Sequence, residues 1–226
     1  MNPTQADAQN HDRLLAALAG GNSSTRLQAA LAAGTRADPV LVDALVARCA
    51  IEPDFFVRDM LTWALTRLPA ETTVPVLLAQ LGSGRAQARS QALHTLSKIG
   101  DRATWSAVTG SLLRDADDEV ARSAWRAAVI LVPAGERAAL ATELATQLGR
   151  GDRTVQLSLS RALVALGDVA EPALRAGLAS ADPVVRAHAE ATERLLHDPD
   201  AGFDVAVSEA NRIVALGPER TGGTAC

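Results

Sequence analysis

Few residues in this chain have the types and spacing that catalysis or metal binding needs. His188 and Glu190 form an H-x-E pattern, which supplies a zinc ligand and a general acid–base in zinc-dependent deaminases. The cysteine pair that completes such a site is missing, since Cys49 and Cys226 are the only cysteines in the chain. The histidines lack metal-ligand spacing, and nucleophile motifs and glycine-rich phosphate loops are absent from the sequence. The sequence therefore predicts no catalytic residue, no metal site and no cofactor.

The thiols and the Gly-Arg-Gly-Asp segment give equally weak signals. Cys49 belongs to an apolar helical face, where a thiol is inert, and Cys226 has no charged neighbour to activate it. Residues 149–152 could form a phosphate loop or an adhesion tripeptide, but Asp152 is better explained as a turn residue of a repeated motif. Two cysteines make no disulfide framework, and the polar start and the lack of an 18-residue apolar run favour a cytoplasmic protein with no membrane segment.

The elements that must position any functional residue come from an internal repeat. A turn residue precedes a small residue or Val, then an Arg, then an amphipathic segment. The spacings between successive Arg positions are 32, 31, 33, 34 and 30 residues, and a register of this kind is typical of repeat architectures. A Gln replaces the Arg in the fifth copy. The six positions are Arg26, Arg58, Arg89, Arg122, Gln156 and Arg186.

Each copy is predicted to fold as two helices. The second helix starts near the Arg, and apolar residues such as Leu61, Leu65 and Leu68 follow with helical periodicity. An Asp or Asn upstream of the Arg is a natural N-cap. One pair cannot bury its apolar stripe alone, so the pairs must stack. We therefore expect an all-α, right-handed solenoid of about six helix pairs, with a helix near Ala201–Leu216 capping its end.

The repeat sets the expected domain limits. Residues 1–10 are polar and are expected to form a flexible N-terminus. The solenoid with its capping helix is expected to occupy residues 11–216. Residues 217–226 are rich in glycine and poor in apolar side chains, which predicts a disordered tail.

The turn Asp182-Pro-Val-Val-Arg186, with relatives at Asp54, Asp118 and Asp152, resembles the turn of HEAT-repeat proteins, including the phycobilin-lyase HEAT-like group. The resemblance covers about residues 11–197 and implies an armadillo-like α-solenoid. It also implies that turn Asp residues and repeat Arg residues form ladders between neighbouring repeats. The implied ladder residues are Asp54, Asp118, Asp152 and Asp182 with Arg26, Arg58, Arg89, Arg122 and Arg186.

Two segments extend this resemblance. FFVRDMLTWALTR and QLSLSRALVALGD are similar to bacterial HEAT-repeat proteins of actinobacteria, some of which carry such arrays behind a MerR-type DNA-binding domain. The winged-helix part of those regulators has no counterpart in this sequence. Phycobilin lyases attach bilins to cysteines, but nothing in this sequence marks a bilin site.

The resemblance implies that the second helices line a concave surface. Residues one, four, five and eight positions after each Arg face away from the buried stripe, given 100° per residue. The row contains an exposed Trp, a His and two Arg, which is the composition of a binding hot spot. Alternatively, Trp63 tilts into the interface between repeats. The predicted concave-face binding residues are Asp59, Trp63, Thr66, Ser90, His94, Ser97, Arg126 and Arg161.

The other aromatic residues are assigned to packing. Trp125 falls in the middle of the buried stripe and is predicted to be a core residue. Phe55 and Phe56 precede Arg58 in a turn, where we expect one of them to fill the interface with the next repeat. The alternative is that the two rings form a ridge for a partner.

Charge and composition then select the function. The formal charge of −4 and the presence of a single lysine, Lys98, argue against a nucleic-acid partner. We expect a non-catalytic scaffold or adaptor that binds a protein partner through a segment on its concave face. Trp63 would supply apolar contact, Asp59 and His94 hydrogen bonds, and Arg126 and Arg161 charge pairing with acidic groups.

Two alternatives remain open from the sequence. One is a regulatory sensor that binds a small-molecule ligand in the groove, suggested by the arrays joined to MerR-type regulators. The other, less favoured, is a HEAT-like DNA glycosylase with Asp59, Trp63, Arg126 and Arg161 facing damaged DNA. The acidic total charge and the lack of a basic concave stripe argue against the glycosylase.

Overall fold

A computed structural model describes residues 3–198 and 207–208, which form α-helices and short 3-10 helices without any strand. The chain divides into two compact units, the first ending at Leu131 and the second starting at Val132. The helices of the first unit are α1 (Pro3–Leu18), α2 (Ser23–Arg36), α3 (Val42–Cys49), α4 (Phe55–Arg67), α5 (Ala70–Gln80), α6 (Ala86–Ile99), α7 (Gly110–Leu113) and α8 (Asp118–Leu131). Those of the second unit are α9 (Arg137–Ala145), α10 (Arg153–Leu166), α11 (Glu171–Leu178) and α12 (Pro183–His197).

The helices alternate as the repeat predicts. In the first unit the second helices of the pairs are α2, α4, α6 and α8, and α2 packs against α4 as α6 packs against α8. In the second unit α10 packs against α12, and α11 packs against both α9 and α12. The first helix of the fourth pair is short, because a 3-10 helix over Arg102–Ala107 precedes α7. Within each unit the predicted all-α solenoid of stacked helix pairs is confirmed.

The repeated turn residues cap the helices that follow them. Oδ1 of Asp54 accepts from the backbone N–H of Phe56 and Val57 at 2.9 and 3.1 Å. Asn22, Asp152 and Asp182 cap α2, α10 and α12 in the same way.

In the fourth repeat the N-cap residue lies one position before the predicted one. Oδ1 of Asp117 accepts from the backbone N–H of Glu119 and Val120 at 3.0 and 3.2 Å. Asp118 is already the first residue of α8. The capping carboxylate must precede the first helical residue, so Asp117 and not Asp118 is the equivalent of Asp54.

The repeat Arg side chains fix the turns before them. Nη1 of Arg58 donates to the carbonyls of Glu52 and Pro53, six and five residues upstream. Nη1 of Arg186 donates to the carbonyls of Ser180 and Ala181 at the same two offsets. The Arg position was predicted correctly, and its first task is to satisfy carbonyls of its own turn.

The acidic partner in the ladder differs from the prediction. Arg26 pairs with Glu52, and Arg89 pairs with Asp115, in each case 26 residues further along the chain. These acids stand two residues before the capping Asp, whose own carboxylate is occupied at the helix N-terminus. In these two pairs the acid is therefore not the turn Asp that the resemblance implied, because Oδ1 of Asp54 and of Asp117 accepts from the helix N-terminus.

The structure describes only part of the two chain ends. α1 begins at Pro3, so helical structure extends into the segment for which flexibility is predicted, and that flexibility stays a prediction. The predicted capping helix lies outside the described residues except for the helical residues Val207 and Ser208, and the predicted tail lies outside them entirely. Val207, like Leu157 and Val164, packs against the buried cluster of Ala191 and Leu195. In the described ranges, the helices are too short or too polar to cross a membrane.

Two tryptophans show how the first unit packs. Trp125 is fully buried, as predicted, and its Nε1 donates to the carbonyl of Leu113 at 2.9 Å. Trp63 lies over Gly34 of α2, where a Cβ would come within 2.3 Å of Trp63 Cζ3 and 2.8 Å of Ala64 Cα. The glycine therefore lets α2 and α4 approach closely.

Candidate binding cleft

A cleft of about 240 Å³ opens across α4, α6 and α8 of the first unit. It brings together four of the predicted binding residues, each contributed by one of these second helices. Cations, carboxylates, small hydroxyls and one aromatic ring share its walls. The lining residues are Phe55, Arg58, Asp59, Thr62, Ser90, Gln91, His94, Glu119, Arg122, Ser123 and Arg126.

A second cleft of about 330 Å³ lies next to the first along α4. It is lined by Asp59, Thr62, Trp63, Thr66 and Lys98. Since both clefts share Asp59 and Thr62, they follow the same helix without a break. We call the two clefts together the α4 groove.

Trp63 is both an interface residue between repeats and a residue of the groove. Its ring contacts Gly34 of the preceding repeat, as an interface residue would. The side chain nevertheless remains 38% exposed and lines the second cleft. Because the ring is held against α2, its open face is positioned for apolar contact without much loss of side-chain freedom on binding.

The first cleft has a positive bias. Its walls carry Arg58, Arg122 and Arg126 against two carboxylates, and one of these, Glu119, is paired with Arg122. Arg126 is exposed, and its guanidinium donates to Ser123 Oγ at 3.1 Å. Burial and the neighbouring Arg122 lower the pKa of Arg126, although Glu119 opposes them. An anion entering the cleft would stabilise this cation.

Arg126 and other nearby charges also act on the pKa of His94. Burial lowers the pKa of His94, the charges of Arg126 and Lys98 lower it further, and Asp59 opposes these effects. The imidazole therefore favours its neutral form, which can both donate and accept a hydrogen bond. A bound carboxylate would reverse part of this shift by offsetting Arg126.

Thr62 is an unusual residue on the floor of the groove. Its side chain is 3% exposed, and its Oγ1 has no hydrogen-bond partner among the described residues. Helical threonines commonly bond a carbonyl of the preceding turn, as Thr66 Oγ1 does to the carbonyl of Trp63 at 2.7 Å. A buried hydroxyl without a partner destabilises the folded chain.

Several predicted site residues have other roles. Ser97 is buried, and its Oγ donates to the carbonyl of His94, so the prediction that it is exposed on the binding face is wrong. Ser90 lines the cleft but is also buried, with its Oγ donating to the carbonyl of Gln87. Arg161 is exposed on α10, in the second unit.

The helical positions used to predict the binding face do not include the residues at one edge of the cleft. Phe55 and Glu119 each stand three residues before a repeat Arg, one helical turn upstream of the predicted row. Extending the same face by one turn would have found them. Phe55 and Phe56 are 65% and 72% exposed, so the expectation that one of them fills the repeat interface is wrong. Their rings pack edge to face at 5.6 Å, and Arg58 lies 6.0 Å from the Phe55 ring.

A polar network in the second unit resembles a catalytic Ser–His pair, but it is buried. Ser160 Oγ lies 3.0 Å from His188 Nε2 and 2.7 Å from Thr192 Oγ1. Ser160 and Thr192 are fully buried and His188 is 2% exposed, so a substrate cannot reach the pair. Nδ1 of His188 accepts from the backbone N–H of Gly149 at 2.9 Å, which places the proton on Nε2. Burial lowers the pKa of His188 to about 4, although the hydrogen bond to Gln156 opposes it.

The Cys49 thiol, another candidate reactive group, is also buried. Cys49 is buried, and burial raises the pKa of its thiol to about 12, so the inert role predicted for it agrees with its surroundings. The described part of the chain holds no group of three or more His, Cys, Asp or Glu side chains placed to bind a metal ion.

The match to known proteins centres on the same helices. Residues 52–130 match a family model described as HEAT repeats, and this range contains every residue of the α4 groove. Residues 52–130 are therefore similar to HEAT repeats, as the turn motifs indicate. A comparison with curated proteins gave no match.

The solved structures that match this chain share little sequence with it. A crystal structure of an engineered protein is 21% identical over 88% of this chain and 96% of its own, with a TM-score of 0.45. A second engineered protein is 18% identical over 89% of this chain and 100% of its own, with a TM-score of 0.46. The complex of CpcE and CpcF of phycocyanin lyase from Nostoc sp. PCC7120 is 20% identical over 87% of this chain and 85% of that chain, with a TM-score of 0.48.

Proposed function

We propose that this chain is a non-catalytic scaffold of the cytoplasm that binds an extended segment of a partner protein in the α4 groove. The observation that carries this proposal is the groove itself, which joins an exposed indole, an imidazole and several charged groups on packed helices. Aromatic and Arg side chains held in this way are the usual anchors of protein interfaces.

The dimensions of the groove suit a short peptide. From Phe55 to Thr66 it follows 12 residues of α4, which corresponds to about 16 Å between the first and the last at the rise of an α-helix. An extended chain advances about 3.3 Å per residue, so about five residues of a partner would span this length. Because the walls are helices packed into the first unit, little ordering of the scaffold is needed on binding.

The proposed roles follow the positions of the side chains. Trp63 supplies the apolar surface, and Asp59 and His94 supply hydrogen bonds from the two sides of the groove. Arg126 pairs with an acidic group of the partner. Arg161 lies on α10 of the second unit and is not part of the α4 groove, so it has no role in this proposal.

The experiment begins with a random linear peptide library displayed on phage and selected against the full chain. Selected peptides are synthesised, and their affinities are measured for the wild type and for a Trp63→Ala, His94→Ala, Arg126→Ala variant of verified helicity. The matched control is Arg36→Ala, which removes an exposed Arg from α2 outside the groove. We expect at least tenfold weaker binding to the triple variant and unchanged binding to the control.

Two results would count against the scaffold. Peptides that bind the triple variant as tightly as the wild type would place the binding surface elsewhere. If no peptide is selected and a small-molecule collection instead raises the melting temperature of the wild type alone, the chain is a ligand sensor.

A further inference from the structure

The Thr62 hydroxyl is the one feature of the groove that folding leaves unexplained. Thr62 is buried at the junction of the two clefts, and its Oγ1 has no partner in the described parts of the chain. A valine has the same shape and would avoid an unpaired hydroxyl. The hydroxyl is therefore expected to have a partner that is present only when the groove is occupied.

The charges around the groove indicate the chemistry of that occupant. Arg58 already donates to two backbone carbonyls, and Glu119 already neutralises Arg122. Arg126 lies beside Arg122. Its hydrogen bonds in the structure go to uncharged acceptors, Ser123 Oγ and the carbonyl of Arg122. Lys98 adds another cation in the second cleft. Asp59, at the junction, is the remaining carboxylate, so the groove as a whole favours an anionic segment.

The apolar part of the groove lies on the other side of Thr62. Trp63 presents a 38% exposed side chain to the second cleft, next to Thr66 and Lys98. An apolar side chain placed there would cover the indole. A carboxylate near Arg126 and an apolar group on Trp63 would then flank the Thr62 hydroxyl.

We propose that the α4 groove binds an acidic peptide segment in an extended conformation, with a carboxylate on Arg126, an apolar side chain on Trp63 and a main-chain carbonyl on Thr62 Oγ1. This inference rests on the proposed scaffold function and specifies what that scaffold recognises. Threonine in a helix has two accessible χ1 rotamers, so rotation about Cα–Cβ can turn the hydroxyl toward the groove when a carbonyl arrives. The main-chain contact fixes the position of the segment, and the two side chains select it.

The first test uses defined probes. Acetylated and amidated alanine pentapeptides carry one Glu and one Leu in every arrangement, and each has a twin with Gln in place of Glu. Binding is followed by NMR through the indole N–H of Trp63, assigned with a Trp63→Phe variant, and through the ring signals of His94. We expect at least one arrangement to shift both signals and to raise the pKa of His94, with the Gln twin about tenfold weaker. In an Arg126→Gln variant the Glu and Gln twins should bind equally.

The second test isolates the hydroxyl. Thr62→Val keeps the shape of the side chain and is expected to weaken binding about fivefold while leaving the melting temperature equal or higher. Thr35→Val is the matched control, because Thr35 is exposed on α2 and its hydroxyl bonds only its own helix, at the carbonyl of Leu31. The control should bind the Glu peptide like the wild type.

The outcomes separate this inference from the function on which it rests. Equal affinity of the Glu and Gln twins, or wild-type affinity in Thr62→Val, would overturn the assignment of an acidic segment held at Thr62. Neutral or basic peptides from the phage selection that need the groove residues would keep the scaffold and refute only the acidic segment. If neither the selected peptides nor the pentapeptides shift Trp63 and His94, both proposals are wrong.

Discussion

The guanidinium of Arg26 forms two parallel hydrogen bonds with the carboxylate of Glu52, Nε to Oε2 and Nη2 to Oε1, both 2.7 Å long. Arg48 adds a second cation from α3, and the backbone N–H of Asp54 donates to Oε1 at 2.9 Å. Burial acts to raise the pKa of Glu52, but the hydrogen bonds from Arg26, Asp54 and Arg48 outweigh it and lower the pKa to about 2. This fully paired carboxylate joins the first two repeats.

Glu52→Gln should therefore destabilise the first unit strongly. The amide removes the charge that Arg26 and Arg48 share, and two buried or half-buried cations lose their partner. Breaking a buried ion pair from one side costs about 3 kcal/mol or more. Urea unfolding followed by circular dichroism should show a lower midpoint for the variant.

The control for this prediction is Glu71→Gln, in the first turn of α5, where the side chain is exposed. Its unfolding midpoint should stay close to that of the wild type. Equal midpoints for Glu52→Gln and Glu71→Gln would mean that the ladder contributes nothing to stability.

Gly34→Ala should disturb the contact between α2 and α4. A Cβ at this position would come within 2.3 Å of Trp63 Cζ3 and 2.8 Å of Ala64 Cα. The indole can move aside, but the backbone atom cannot, so the helices must separate. Overpacking of this kind destabilises by about 2 kcal/mol, and the Trp63 fluorescence should shift as the ring becomes more exposed.

A comparison with Gly82→Ala tests the cause. Gly82 is exposed and has no atom within 4 Å of a built Cβ, so alanine is tolerated there. In the background of Trp63→Ala, Gly34→Ala should remain destabilising, because the clash with Ala64 persists. Full rescue by the Trp63→Ala change would show that the indole alone is responsible.

The repeat register predicted the helices well because each repeat carries its own local signals. Asp54 caps α4 through bonds to residues two and three positions later, and such contacts depend only on nearby sequence. The core role of Trp125 followed from its place in the buried stripe. Asp118 was misassigned because Asp117 and Asp118 are adjacent, and local composition does not distinguish which of the two precedes the helix.

The site was predictable only in part, since its details depend on contacts between repeats. Helical angles placed Asp59, His94 and Arg126 on a common face, and the structure brings them into one cleft. The same angles gave no warning that Ser97 would be buried. The pairing of Arg26 with Glu52 spans 26 residues, and it depends on how the second turn folds beside the first.

Phe55 and Phe56 should be replaceable by Ser without loss of stability. Both rings are more than half exposed, and they contact each other edge to face. The free energy of unfolding of the double variant Phe55→Ser, Phe56→Ser should lie within about 0.5 kcal/mol of the wild-type value. Trp125→Phe, which removes the bond to the Leu113 carbonyl from the core, is the contrasting variant and should be clearly less stable in the same urea titration.

His188 should make the stability of the second unit depend on pH. Its folded pKa of about 4 lies below the value of 6.5 for a free histidine, so the unfolded chain binds the proton more readily. Stability is complete above about pH 6.5 and falls as the pH drops toward 4, by roughly 3 kcal/mol for the full shift. Protonation of Nδ1 would also remove the acceptor for the backbone N–H of Gly149.

Urea unfolding across this pH range checks the expectation against two variants. His188→Gln should be less stable at pH 7, since it removes the hydrogen bond between the imidazole and Ser160, whose hydroxyl also bonds Thr192. It should lose most of the slope between pH 6.5 and 4. His197→Gln changes an exposed histidine of the same helix and should keep the wild-type slope. A slope that survives in His188→Gln would assign the pH dependence to groups other than this buried imidazole.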